Sequence, residues 1–66
     1  MHLAPTGTPD LCGYRLSDGR AVFIEVKRAG GKIRPEQAAF IAKAQAAGAL
    51  AGFATSVGEA MGIINR

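Results

Sequence analysis

Two apolar segments separated by a polar turn predict a β-hairpin in the first half of the chain. Residues 11–16 form the first predicted strand. Residues 21–27 form the second, because this segment is rich in β-branched and aromatic side chains. Residues 17–20 lie between them and contain Asp18-Gly19, a dipeptide that favours a two-residue hairpin turn. We therefore expect two antiparallel strands joined by a tight turn.

The next apolar pattern has helical spacing and begins after Pro35, a residue suited to the first position of a helix. Residues 28–34 precede it and contain paired glycines, which predicts a loop. Gly48 is a natural C-terminal stop, so the helix should end near residue 47. Its apolar stripe should face the sheet and consists of Phe40, Ile41 and Ala44.

A short apolar run and a capping signal complete the chain. Residues 50–55 predict a strand. Ser56 followed by Glu59 forms a capping box, which predicts a final helix over residues 57–64. The order strand, strand, helix, strand, helix predicts an α/β fold. We expect a small mixed sheet in which a hairpin is followed by a parallel crossover through the first helix.

The length of 66 residues allows one domain, residues 1–66, with an irregular segment at residues 1–8. A chain this short buries only about 60% of its unfolded surface, so the core alone gives marginal stability. The single cysteine, Cys12, cannot form an internal disulfide, which favours a reducing compartment. We expect Cys12 to be a small buried hydrophobe. Association with a second copy is the remaining common source of stability.

The formal charge of +3 favours an acidic partner, with nucleic acid the first candidate. Four basic side chains cluster around the end of the second predicted strand: Lys27, Arg28, Lys32 and Arg34. The sequence supports two interpretations of this cluster equally: a patch that contacts phosphates, or an ordinary solvated loop. No apolar run approaches the ~20 residues of a membrane span, and the N-terminus lacks the plan of a signal peptide. We expect a soluble, cytoplasmic protein.

Strand alternation places two charged residues on one face of the second strand. One predicted face carries Ala21, Phe23, Glu25 and Lys27, and the other, interpreted as core, carries Val22, Ile24 and Val26. Charged residues at the end of an otherwise apolar strand indicate a polar pocket at the edge of the sheet.

The predicted turn also places Asp10. If Asp18-Gly19 is a two-residue turn, Asp10 lies opposite Lys27, and Cys12 lies opposite Glu25. Asp10 and Glu25 are then diagonal neighbours on one face, ~7–8 Å apart at the backbone. Two carboxylates can hold a hard divalent cation, and a lysine beside them can face developing negative charge. This set is what metal-dependent phosphodiester cleavage requires.

Gln37 lies on the buried stripe of the first helix, within reach of Lys27, and a polar residue there needs a partner. Each residue also has a simpler interpretation. Asp10 can be a turn residue, Glu25 and Lys27 an exposed charged face, and Gln37 a helix capper. Their convergence on one predicted site makes coincidence the poorer account.

The same residues carry a resemblance to a known family. The chain resembles the VRR-NUC family of the PD-(D/E)XK nuclease superfamily in Gly7-Thr8-Pro9-Asp10-Leu11, Asp18-Gly19-Arg20, Phe23-Ile24-Glu25-Val26-Lys27 and Pro35-Glu36-Gln37 with Phe40. The resemblance covers nearly the whole chain after residue 5. It implies a minimal restriction-endonuclease-like fold from which the N-terminal helix of the family is missing.

The resemblance implies metal-dependent hydrolysis of DNA phosphodiesters. Asp10 and Glu25 would bind Mg²⁺ or Mn²⁺, together with the backbone carbonyl of Val26. Lys27 would orient the attacking water or stabilise the transition state, and Gln37 would orient Lys27 or the water. Independently of the resemblance, the basic cluster in the sequence predicts that Arg28, Lys32 and Arg34 contact the DNA backbone.

Stand-alone members of the family look like homodimers that act on branched DNA such as Holliday junctions. A dimer is also favoured by the alanine-rich first helix, whose small side chains allow close approach of a second helix. The alternative is a catalytically impaired DNA-binding module, a truncated remnant of the same fold.

Overall fold

The computed structural model describes residues 9–66, so the predicted irregular segment at residues 1–8 lies outside the described part. Five elements follow in the predicted order: β1 (Leu11–Tyr14), β2 (Ala21–Val26), α1 (Pro35–Ala46), β3 (Leu50–Ala54) and α2 (Val57–Ile64). The sheet has the order β1-β2-β3, with β1 antiparallel and β3 parallel to β2. The mixed α/β architecture is therefore confirmed. Neither helix within residues 9–66 is long and apolar enough to cross a membrane.

The hairpin register differs from the prediction by two residues. Leu11 pairs with Ile24 and Tyr14 with Ala21, so the prediction of a two-residue turn at Asp18-Gly19 is wrong. The type I′ turn that Asp-Gly favours needs a positive φ at both of its central residues. Gly19 has a φ of 74°, but the φ of Asp18 is not positive. The hairpin instead closes where the backbone N–H of Arg15 donates to the carbonyl of Arg20, at 2.8 Å. Leu16, predicted in the strand, lies in this longer loop and is 88% exposed.

Helix α1 packs on one face of the sheet. The rings of Phe23 on β2 and Phe40 on α1 meet edge to face, with centroids 5.3 Å apart and planes at 76°. Ile41, on the same stripe, is buried. The helix ends one residue before the predicted stop, and Gly48 follows at a φ of 93° that favours glycine.

Helix α2 covers the opposite face and closes the main core. Ile24, Leu50, Ala54 and Ile63 form this buried cluster, and Val22, Ala60 and Ile64 pack against it. Ser56 accepts a hydrogen bond from the backbone of Glu59 at 3.1 Å, so its predicted capping role is confirmed. The other half of the predicted capping box differs, because the Glu59 carboxylate accepts from the backbone N–H and the hydroxyl of Thr55, one residue before the cap. The helix occupies the predicted residues.

Two predictions of burial are wrong. Val26 is 52% exposed, and Cys12 is exposed. Cys12 lies on β1, an edge strand against which neither helix packs within the described residues. Val26 is the last residue of β2, at the end of the strand.

Candidate functional site

The two carboxylates of the predicted site lie at one end of the hairpin. Continuing the observed register by one residue places Asp10 directly opposite Glu25, closer than the predicted diagonal. Asp10 precedes β1, and its Oδ2 accepts a hydrogen bond from the backbone N–H of Val26 at 3.2 Å. This bond replaces the next rung of the ladder and holds the Asp10 carboxylate at the end of β2. The sequence did not predict this hydrogen bond, because the predicted two-residue turn placed Asp10 opposite Lys27 instead of opposite Glu25.

Glu25 is the only buried charged residue in the described part of the chain, with 5% of its surface exposed. Burial raises the pKa of the Glu25 carboxyl, and the neighbouring Asp10 charge raises that pKa further. Lys27 acts in the opposite direction, with its Nζ 4.0 Å from Glu25 Oε1. A further positive charge beside the two carboxylates would lower the pKa of Glu25 and favour its ionised form.

Gln37 connects the carboxylate and the lysine. Its Nε2 donates to Glu25 Oε1 at 3.1 Å, and its Oε1 accepts from Lys27 Nζ at 2.7 Å. The same oxygen accepts from the backbone N–H of Arg34 at 3.1 Å. The predicted capping role and the predicted contact with Lys27 are therefore both present, in one side chain. The amide has a donor on one side and an acceptor on the other, which lets it bridge opposite charges.

The fold places Gln37 there through aromatic packing one turn further along α1. Gln37 is in the first turn of the helix and precedes Phe40 by three residues, so both lie on one helical face. Phe23 and Glu25 are two residues apart on β2 and share one face of the strand. The contact of Phe40 with Phe23 consequently sets Gln37 over Glu25.

The donor chemistry fits a hard divalent cation. Within residues 9–66, no three His, Cys, Asp or Glu side chains cluster in a way that could hold a metal ion, so the acidic groups at this site are limited to the facing residues Asp10 and Glu25. Mg²⁺ accepts this arrangement because it usually keeps several waters and uses one or two carboxylates. Typical zinc sites contain histidine or cysteine ligands, which Asp10 and Glu25 do not supply.

The predicted DNA-contacting side chains lie apart from this network. Arg28, Lys32 and Arg34 are exposed in the loop that connects β2 to α1. Only the backbone of Arg34 enters the network, through its bond to Gln37. The structure thus brings Asp10, Glu25, Lys27 and Gln37 together and leaves the three cations on the adjoining loop.

A protein-family model for the VRR-NUC domain matches residues 4–58, which is more than half of the chain. No curated protein and no solved structure matches the chain.

Proposed function

The chain belongs to the VRR-NUC family, a nuclease family, and on this basis we propose that it hydrolyses DNA phosphodiester bonds with a divalent metal ion. The observation that carries the proposal is the bridge made by Gln37, which hydrogen-bonds Glu25 and Lys27 at once. A buried carboxylate and an ammonium group held by one amide supply a ligand and a positive charge side by side. In the same proposal, the sheet and helices correspond to a minimal restriction-endonuclease-like core.

Asp10 and Glu25 would hold Mg²⁺ or Mn²⁺, with the backbone carbonyl of Val26 as a further ligand. When bound, such an ion lowers the pKa of a coordinated water and offsets charge on a phosphate. Glu25 would contribute a buried carboxylate and Asp10 an exposed one. The Asp10 carboxylate is oriented by its hydrogen bond from the Val26 backbone.

Lys27 would act on the phosphate or on the attacking water. Its ammonium group donates to Gln37, which restricts its position and leaves its remaining N–H donors for a substrate oxygen. A fixed cation stabilises charge that develops in the transition state without first having to reorganise. Gln37 is thus a positioning residue in this scheme, because it acts through Lys27 and Glu25.

The loop at residues 28–34 would contact the DNA backbone. It carries Arg28, Lys32 and Arg34 and no acidic residue, and all seven of its residues are exposed. Such side chains bind phosphates irrespective of sequence. Branched DNA is the proposed substrate, cut by a homodimer with two such sites. Small exposed side chains on and just after α1 could accommodate the second copy: Ala38, Ala39, Ala42, Ala46 and Ala47.

The test compares the wild type with Lys27→Ala on labelled four-way junction, flap and plain duplex DNA, in Mg²⁺, Mn²⁺ or EDTA. Lys43→Ala is the matched control, because Lys43 is an exposed lysine in the last turn of α1, away from Gln37 in the first. We expect metal-dependent cutting by the wild type and the control, and its loss in Lys27→Ala. Equal cutting by all three proteins would contradict the assigned role of Lys27. Sedimentation at micromolar concentration tests the proposed homodimer, and a monomer under these conditions would contradict it.

A catalytically impaired DNA-binding module is the second candidate. It is favoured by the small donor set, since no group of three or more His, Cys, Asp or Glu side chains that could hold a metal ion occurs in residues 9–66. Titration with Mg²⁺ separates the candidates. An impaired module binds DNA equally well with and without the metal and cuts none of the three substrates.

A further inference from the structure

The two edges of the sheet differ in how far they are covered. β3 forms one edge, and four of its five residues are buried. The Ala54 carbonyl faces β2, where it accepts from the N–H of Lys27, so the Ala51 carbonyl points to the outer side. There it accepts from Gln45 Nε2 at 2.8 Å and from Arg66 Nη1 at 3.1 Å. β1 forms the other edge, all four of its residues are exposed, and within residues 9–66 β2 is the one element that it contacts.

The hydrogen bond that closes the hairpin identifies the open backbone groups of β1. The N–H of Arg15 donates to the carbonyl of Arg20, so the backbone of Arg15 faces β2. Successive residues of an antiparallel strand alternate between facing their partner strand and facing away from it. Cys12 and Tyr14 therefore direct both their N–H and their C=O groups away from β2. An edge strand with such groups is a template on which a further strand can pair.

The side chains of β1 suit pairing with a strand of the same sequence. The strand has no charged residue and no proline, which are the usual devices that discourage pairing at an edge. Leu11 is 51% exposed and lies on the α2 face, because it pairs with the buried Ile24. Gly13 lies on the same face, and a Cβ there would meet nothing within 4 Å. The strand thus presents a projecting apolar side chain with an open space beside it, and both line a groove along α2.

Other exposed apolar side chains gather around this edge. Tyr14 is on β1, and Leu16 is in the hairpin loop that follows. Val26 and Val57 line a second groove together with Leu11. Clustered apolar side chains, unlike scattered single ones, mark contact surfaces. These five side chains expose on the order of 400 Å² together, about half of the ~800 Å² that each partner of a stable complex buries, so we expect a weak association to which the paired backbone adds.

We propose that a second copy of this chain covers β1, and that the two β1 strands pair antiparallel about a two-fold axis at Gly13. The two three-stranded sheets then form one continuous sheet. In this register Cys12 lies opposite Tyr14 of the other copy, so the pairing uses every outward backbone group of both strands. Leu11 of each copy leans diagonally over Gly13 of the other, where the space is open. A two-fold contact is closed, so association stops at the dimer.

This inference deepens the proposed function and rests on it for the homodimer, whose contact it assigns to β1 instead of α1. It also places both candidate sites on one face of the continuous sheet. Asp10 lies three residues before Gly13, so the two Asp10 residues would be about 20 Å apart along the strands. One dimer would therefore present two sites to the same DNA molecule.

Sedimentation equilibrium of the full chain, without DNA and in EDTA, tests the contact. Gly13→Lys should weaken the dimer at least about tenfold, because two like charges would face each other at the axis. A folded monomer should tolerate this change, since the site of the new side chain is open. Gly62→Lys is the matched control, because Gly62 is exposed on α2 and a Cβ there also meets nothing within 4 Å. It should dimerise as the wild type does, and circular dichroism should show that both variants are folded.

Cross-linking by oxidised glutathione tests the register. Tyr14→Cys places a thiol opposite Cys12 of the other copy, at the ~5.5 Å Cα separation of a hydrogen-bonded pair, which a disulfide can span. The two Cys12 residues of a wild-type dimer are also offset by two residues along the strands, which exceeds the ~7 Å that a disulfide allows. Tyr14→Cys should therefore form a covalent dimer, and the wild type should not. Ala42→Cys, which puts a thiol on the exposed alanine surface of α1, should not form one either.

A wild-type dimer that Gly13→Lys leaves unchanged would overturn the proposal, and a covalent dimer of Ala42→Cys would assign the contact to α1 instead. A covalent wild-type dimer through Cys12 would overturn the axis at Gly13. A monomeric wild type would overturn the inference together with the homodimer, whatever the cutting assay shows. A dimer through β1 that cuts no DNA would support the inference and contradict the proposed nuclease function.

Discussion

Gln37 Oε1 lies 2.7 Å from the ammonium nitrogen of Lys27, while the nitrogen of the same amide donates to Glu25. One helix residue thereby sets the separation of two oppositely charged groups on a strand. Without it, the 4.0 Å approach of Lys27 to Glu25 would depend on their own flexible side chains.

Replacement of Gln37 by alanine should lower the cutting rate about tenfold to a hundredfold, because Lys27 loses the acceptor that orients it. It should also destabilise the fold by about 1–2 kcal/mol, since the Arg34 N–H loses its cap. Single-turnover cleavage at saturating DNA and Mg²⁺ measures the first effect, and chemical denaturation measures the second.

The control for this variant is Gln45→Ala. Gln45 is on the same helix, and its amide donates to the carbonyl of Ala51 at 2.8 Å, away from the site. That variant should lose stability and keep its cutting rate at a temperature where it is folded. If both variants lost rate equally, Gln37 would be a structural residue only.

Replacement of Glu25 by glutamine should separate metal binding from folding. In EDTA the variant should be at least as stable as the wild type, because a neutral amide removes a buried carboxylate from beside Asp10. Mg²⁺ should raise the melting temperature of the wild type, since a ligand that binds only the folded state stabilises it. The variant should show no such rise. A Mg²⁺-dependent rise of equal size in both proteins would remove Glu25 from the ligand set.

Interactions of Asp18 in the hairpin loop should make a contribution to the free energy of unfolding that is lost in acid. Hydrogen bonds from the Arg15 side chain and the Arg20 backbone lower the pKa of Asp18 from 3.8 to about 2. Because the pKa of Asp18 is lower in the folded state than in the unfolded state, the contribution of Asp18 to the free energy of unfolding is complete above about pH 4. This contribution is lost as the pH falls toward 2.

Asp18→Asn should therefore melt below the wild type at neutral pH, and this difference should vanish near the bottom of that pH window. Melting curves of both proteins across the window provide the measurement. A difference that stayed constant with pH would mean that the carboxylate charge contributes nothing.

Gly52 on β3 marks a close approach to α2. A Cβ at this position would lie 2.9 Å from Ile63 Cδ1 and 3.3 Å from its Cγ1. Gly52→Ala should destabilise the protein by about 1–3 kcal/mol through overpacking. Adding Ile63→Val removes the Cδ1 methyl group, so the double variant should lose less than the sum of the two single variants. Strict additivity in denaturant unfolding would contradict this contact.

Local signals in the sequence accounted for where the two helices begin. Pro35 starts α1, and Ser56 with Glu59 sets α2 at its predicted bounds. Each of these signals acts between residues no more than four apart, so the sequence contains it without reference to the rest of the fold. The common face of Asp10 and Glu25 was also predictable, because an error of two residues in register leaves strand alternation unchanged.

Tertiary structure decided the remainder. The hairpin register depends on which backbone conformation Asp18 adopts, and its contact with Arg15 accompanies the longer loop. The exposure of Cys12 follows from its place on β1, against which neither helix packs within the described residues, and Val26 is exposed at the end of β2. The triple contact of Gln37 follows from Phe40 meeting Phe23, seventeen residues away in the chain. Such relationships join residues distant in sequence, and their geometry exists only once the elements have packed.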